Sequence, residues 1–161
     1  MIAMSSNEGA MDAVQAWDWQ TFSAGAMQKT VTPKGYGELP KQISEFQEEN
    51  PALFSEIFSQ CGWSIKQEAG GVRIYYSSRE TEYEDITGSA LCDFIKRGFS
   101  QTDSGFPKKS ESLASIASAV IHEEFQKKQV VDFIARMRAA LSKSPRGYSN
   151  SASDFFQSKL G

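Results

Sequence analysis

Residues 60–78, QCGWSIKQEAGGVRIYYSS, decide the fold. From Trp63 the side chains alternate, Trp63 and Ile65 on one face against Ser64, Lys66 and Glu68 on the other. Beyond the glycines, Val72, Ile74 and Tyr76 alternate against Arg73 and Tyr75. A period of two belongs to strands. A two-residue turn at Ala69 and Gly70 sets Trp63 opposite Tyr76, Ile65 opposite Ile74 and Gln67 opposite Val72, gathering the large apolar groups on a single face. Gly70 and Gly71 stand where a tight hairpin turn demands tolerance of positive φ. The spacing predicts a β-hairpin over 63–77.

Working outward, Asn50 followed by Pro51 predicts a helix start, a side-chain acceptor for free amides and then a residue suited to the first helical position. The helix is expected from Pro51 to about Gln60. Leu53, Phe54, Ile57, Phe58 and Cys61 share its apolar face, and Gly62 is suited to end it in the left-handed conformation. A preceding helix from Pro40 to about Glu48 offers Ile43 and Phe46. Helix, helix, two-stranded ribbon is the order of a winged-helix domain, an order that other α+β folds share. The expected class is α+β, mostly helical. A loose tail over 1–16 leads into a winged-helix-like part over 17–88, and a helical part over 89–161 packs on it to give one compact domain.

After the hairpin, SSRETEYEDITGS reads as an acidic, turn-rich loop, followed by a helix from Ser89 to Arg97 with Leu91, Phe94 and Ile95 inward. From Ser110 or Ser112, both suitable N-caps, the chain is expected to be helical to about Leu141. Leu113, Ile116, Ala117, Val120 and Ile121 form one apolar stripe, and Val130, Phe133, Ile134, Met137 and Leu141 form another. The stripes differ in phase across EEFQKKQ, so a bend is predicted at 127–129. Both pieces are expected to be core helices.

The segment LFSEIFSQCGWSIKQEAGGVRIYY, entered from a helix pair and followed by more helices, resembles the small accessory subunits of bacterial condensin-type complexes, the MukE-like family of tandem winged-helix proteins. The resemblance spans residues 40–78 and rests on the helix-pair-to-ribbon shape and on GWSI and GGVRIY. A second winged helix is not visible after residue 86. The resemblance implies a non-enzymatic dimeric or heteromeric subunit that clasps a linker protein of a DNA-handling ATPase, and no functional residue is carried over from it.

The chemistry that composition allows is narrow. The one histidine, His122 in IHEEF, has Gln126 where a zinc-protease helix needs a second histidine, and it reads as an ordinary helix residue. One histidine and two cysteines cannot assemble a Cys/His zinc cluster. GYGELPK lacks the phosphate-cradling spacing of a P-loop, and no nucleophile motif accompanies His122. Glu80, Glu82, Glu84 and Asp85 could hold a divalent metal if they alternated on a strand, or form a solvated acidic loop. The reading is no enzyme, no cofactor and no metal. Cys61 and Cys92 suit a reducing compartment, no apolar run approaches the roughly 20 residues that cross a bilayer, and nothing at the N-terminus directs secretion, so a cytoplasmic protein with no membrane partner is expected.

The net charge of −3 hides an asymmetry: residues 1–95 carry six basic and fourteen acidic groups, residues 96–161 eleven basic and six acidic. Either the charges form an ordinary solvated surface or the two ends meet different partners. Two uses follow. In one, the chain is an interaction subunit, a homodimer or hetero-oligomer, and Trp17, Trp19 and Phe22, or Phe155 and Phe156, are partner-facing anchors or else caps of its own core. In the other it is a DNA-binding regulator whose C-terminal helices grip phosphate through Lys127, Lys128, Arg136 and Arg138.

Overall fold

The computed structural model describes residues 12–16, 18–97, 110–144, 146–147 and 149–157, the last three by their backbone. Its first elements are three short strands, β1 (Val14–Gln15), β2 (Phe22–Ala24) and β3 (Lys29–Val31), paired antiparallel in that order. This sheet was not expected, and β1 lies within the segment read as a loose tail. β2 is wholly buried. The turn from β2 to β3 begins at Gly25, whose φ of +78° is left-handed and whose Cβ, if present, would lie 2.5 Å from the side-chain oxygen of Gln129.

Two helices follow, α1 (Glu38–Glu49) and α2 (Pro51–Ile57). Pro40 sits in the first turn of α1, where its missing N–H would have had no helical partner. The Asn50 side chain makes no capping hydrogen bond; the joint is made by its backbone, whose N–H donates to the Phe46 carbonyl at 2.8 Å and whose carbonyl accepts from Phe54 at 2.9 Å. α2 stops at Ile57 and tightens into a 3₁₀ turn over Ser59–Cys61. That tightening rotates Cys61 off the apolar face into solvent, against the expectation that it was a core residue. Gly62 then turns left-handed at φ 91°, where a Cβ would lie 2.2 Å from the Ser77 carbonyl oxygen.

The hairpin forms in the expected register. β4 (Trp63–Glu68) pairs with β5 (Gly71–Tyr76), with Trp63 opposite Tyr76, Ile65 opposite Ile74 and Gln67 opposite Val72. Trp63, Ile74 and Tyr76 are buried. Trp63 packs at a tilt against Tyr76 (centroids 4.7 Å apart) and Phe22 (5.6 Å), and its indole N–H donates to Ser115 Oγ at 2.9 Å. Phe46, Phe58 and Phe125 continue this aromatic core, with centroids 5.0 Å (Phe46 to Phe125) and 5.4 Å (Phe58 to Phe125) apart. One cluster of buried residues thus joins both sheets to the helices on either side.

α3 (Gly88–Lys96) buries Leu91 and Ile95. α4 (Glu111–Ile121) is capped by Ser110, whose hydroxyl accepts from the Leu113 amide at 3.3 Å, and buries Ile116, Ala119 and Val120. α5 (Glu123–Leu141) follows after a single residue. The bend is therefore at His122 and not at 127–129. His122 is extended (φ −61°, ψ 133°) and acts as an N-cap, its Nδ1 accepting from the Glu124 amide at 3.4 Å. Glu123 and Glu124 occupy the first turn of α5, where negative charge favours the helix. The polar patch read as a hinge is thus the opening of a helix. A short α6 (Ala152–Gln157) ties back through the Ala152 amide to the Lys143 carbonyl at 3.0 Å. The fold is α+β, with six α-helices and two small antiparallel sheets among the described residues. None of the described helices is long and apolar enough to cross a membrane.

Candidate interaction surface

α5 carries two faces that a 3.6-residue period separates cleanly, and it is mounted with the polar one inward. Phe125, Lys128, Gln129, Asp132 and Arg136 fall on one side; Val130, Ile134, Met137 and Leu141 fall on the other. Only Phe125, at the start, buries a large apolar group from the inward side.

The remainder of that side is held by polar bonds to β3, to α1 and to the turn after β2. The Lys128 ammonium reaches Glu45 at 2.8 Å, Asp132 at 3.1 Å and Glu49 at 3.3 Å. Asp132 also accepts from Lys29 at 2.6 Å and from Gln42 at 2.7 Å. Arg136 meets Glu38 at 3.5 Å. Gln129 uses both ends of its amide: its oxygen accepts from the Ala26 amide at 2.9 Å and its NH₂ donates to the Val120 carbonyl at 2.8 Å. Burial works to lower the Lys128 pKa, but hydrogen bonds to Glu45, Asp132 and Glu49 outweigh it and hold the ammonium above the ordinary lysine range. Burial likewise pushes the Asp132 carboxyl up, and Lys29, Lys128 and Gln42 together pull it below the usual carboxylate range. Part of the charge asymmetry is thus met within the molecule, Lys128 and Arg136 of the basic half pairing with Glu45, Glu49 and Glu38 of the acidic half.

The outward side is the second apolar stripe, which had been expected to enter the core. Val130 is 37% exposed, Ile134 42% and Met137 44%, and the neighbouring Val131 reaches 59%. Phe133 and Leu141 are half-buried. The reversal has a physical cause: the ion pairs on the opposite side leave the stripe nothing to pack against. Ile121, at the end of α4, is also exposed.

The aromatic anchors fall out differently. Trp19 is 73% exposed, a position suited to a partner contact. Phe22 is completely buried against Trp63 and cannot face a partner. Trp17 and the side chains of Phe155 and Phe156 lie outside the described residues. Of the four basic candidates, Lys128 is the buried centre of the ionic cluster, Lys127 pairs with Glu124 at 2.6 Å and Glu123 at 3.1 Å, Arg136 pairs with Glu38, and Arg138 is exposed. Glu80, Glu82, Glu84 and Asp85 sit in a solvated loop, with Asp85 engaged by Lys66 at 2.7 Å. Among the described residues no group of three or more His, Cys, Asp or Glu is arranged to hold a metal.

A second cluster, on the outer face of the hairpin, could not be read from local spacing because one member is remote. The Glu68 carboxylate accepts from the hydroxyl of Tyr75, from that of Tyr36 at 2.7 Å, and from Arg73 at 3.4 Å. The Tyr75 and Tyr36 bonds hold the Glu68 carboxyl below its usual range, and both phenols are raised by the same carboxylate. Arg73 lies over the Tyr36 ring and donates to the Lys34 carbonyl at 3.0 Å, pinning the loop before α1 to the hairpin. Its donors and acceptor satisfy one another, so it acts as a brace. Comparison with protein-family models, with curated proteins and with solved structures found no match for this chain.

Proposed function

We propose that the chain is a non-enzymatic interaction subunit of a multiprotein complex and that the outward stripe of α5 is its partner-binding face. The observation that carries this reading is the mounting of α5: a helix whose polar side is bonded into the molecule and whose apolar side is left in water. An apolar stripe of that length serves as an anchor once a partner desolvates it. The helix pair and hairpin of residues 40–78, with their winged-helix order and their resemblance to condensin-type accessory subunits, suggest a DNA-handling ATPase in the cytoplasm as the class of complex. The alternative, a DNA-binding regulator using Lys127, Lys128, Arg136 and Arg138, has weaker support, because carboxylates engage the first three of these cations and would have to be displaced by phosphate.

The test is affinity purification of a tagged chain from the cells that express it, alongside an Ile134→Glu, Met137→Glu variant. A stoichiometric protein retained by the native chain and lost by the variant, at an unchanged unfolding midpoint, is the expected result. Identical recovery with both chains overturns the assignment of the face. Tight binding to duplex DNA at about 50 mM salt that collapses by about 200 mM would favour the alternative.

A further inference from the structure

We propose that a second copy of this chain covers the outward stripe, pairing α5 against α5 antiparallel about an axis between Ile134 and Met137. The inference rests on the interaction reading above and names its partner. Three observations point to a second copy. The first is spacing: Val130, Ile134, Met137 and Leu141 follow one another at intervals of four, three and four, the seam of a two-helix coiled coil. Lys127, the next seam position towards the N-terminus, is tied to Glu123 and Glu124 and ends the apolar run there.

The second is size matching. Antiparallel pairing places Ile134 against Met137 and Val130 against Leu141 of the other copy, and on the flank it sets the large Phe133 opposite the small Ala140. It also lays the aliphatic stem of Arg138 over Val131, the exposed residue flanking the stripe. The third is charge. Arg138, Lys143 and Arg146 lie at and just beyond the far end of α5, so parallel copies would stack these cations on one another, whereas antiparallel copies set them towards the opening of the helix, where Glu123 and Glu124 outnumber their partner Lys127. The stripe is open with α6 in its place beside the C-terminal end of α5.

The seam runs about 16 Å. So short a contact is expected to give a weak dimer, with a dissociation constant of about 1–100 μM. Sedimentation velocity from about 1 to 300 μM should show monomer passing to dimer, and Ile134→Glu with Met137→Glu should remain monomeric throughout with an unchanged unfolding midpoint. The orientation is read from Val131, a position that needs no core repacking: Val131→Glu, facing Arg138 of the other copy, should tighten the dimer about two- to five-fold, and Val131→Lys should weaken it by a similar factor. A native chain that stays monomeric at 300 μM (about the highest concentration used) overturns the proposal. So does a dimer that survives the double substitution, or one in which the two Val131 variants are indistinguishable. A monomeric native chain that still retains a different protein through Ile134 and Met137 overturns self-pairing and leaves the interaction reading standing; loss of both ends both.

Discussion

The hairpin β4–β5 and the helix α5 each have an apolar and a polar face, yet the molecule uses them in opposite senses. The hairpin turns Trp63, Ile74 and Tyr76 into the core and leaves Lys66 and Arg73 outside it. The helix turns Lys128, Gln129 and Asp132 inward and leaves Val130, Ile134 and Met137 in solvent. Amphipathic spacing says that an element has a face to cover. It does not say whether the cover comes from the same chain. What separates the two cases is the depth of the opposite face: the polar side of the hairpin is braced nearer the surface, Glu68 with Tyr36, Tyr75 and Arg73 and Lys66 with Asp85, whereas the polar side of α5 has partners on α1 and β3 that hold Lys128 and Asp132 away from solvent.

The contrast can be broken at several points. The largest effect is expected from Trp63→Ala, which removes a wholly buried aromatic packed against Phe22 and Tyr76 and should cost about 3–5 kcal/mol in urea denaturation. A change near zero would mean that the hairpin face, too, is a surface. Next is Lys128→Met, which strands Asp132, Glu45 and Glu49. A fully buried pair broken on one side costs about 3–5 kcal/mol, but Glu45 and Glu49 keep access to water and Lys29 still holds Asp132, so a loss of about 2 kcal/mol is expected by the same measurement.

The pH dependence sharpens the comparison further. Asp132 has a depressed folded pKa, so its contribution is present above the unfolded value near 3.9 (about the ordinary aspartate pKa) and is lost as pH falls through the lower folded one. Lys128 is raised, so its contribution is present below the unfolded value of about 10.4 and lost only as pH climbs through the folded one. Melting followed from about pH 2 to 5 should show a steep loss that Asp132→Asn flattens, at a lower plateau near neutrality. The smallest effect belongs to Ile134→Glu: within about 0.5 kcal/mol for the isolated chain at low concentration, since the side chain is already in water. A large loss there would show that the stripe is covered from within.

How much of this was legible follows from where each element finds its partners. The hairpin was readable down to its register because both strands and the turn lie within fifteen residues, and each pair checks the next. The helix pair was readable in kind, although Asn50 capped by backbone and Cys61 swung outward at the 3₁₀ turn. The N-terminal sheet was not, because strands of two and three residues are too short to show alternation, and the groups it packs against or bonds to, on α1, α4 and α5, are remote in sequence. For α5 the stripe and its phase mismatch with α4 were visible, but the direction it faces is decided by Glu45, Glu49, Lys29 and Gln42, none of them its neighbours in sequence.

The clasp between the N-terminal sheet and α5 also governs when the molecule can close. Ala26 bonds Gln129 and Lys29 bonds Asp132, each across 103 positions, while β4 meets β5 across two. Loop-closure cost grows only with the logarithm of length, so the long span scarcely alters equilibrium stability, but it does order events: a hairpin closes in about 1–10 μs, and the clasp must wait for the intervening chain. On a ribosome adding about 5–20 residues per second, the strands bearing Phe22 and Val31 emerge roughly 5–20 s ahead of the helix that holds them. During that interval the sheet lacks its bonds to Gln129 and Asp132, while Phe22 already has Trp63 to pack against, so the small sheet gains its apolar cover before its polar clasp.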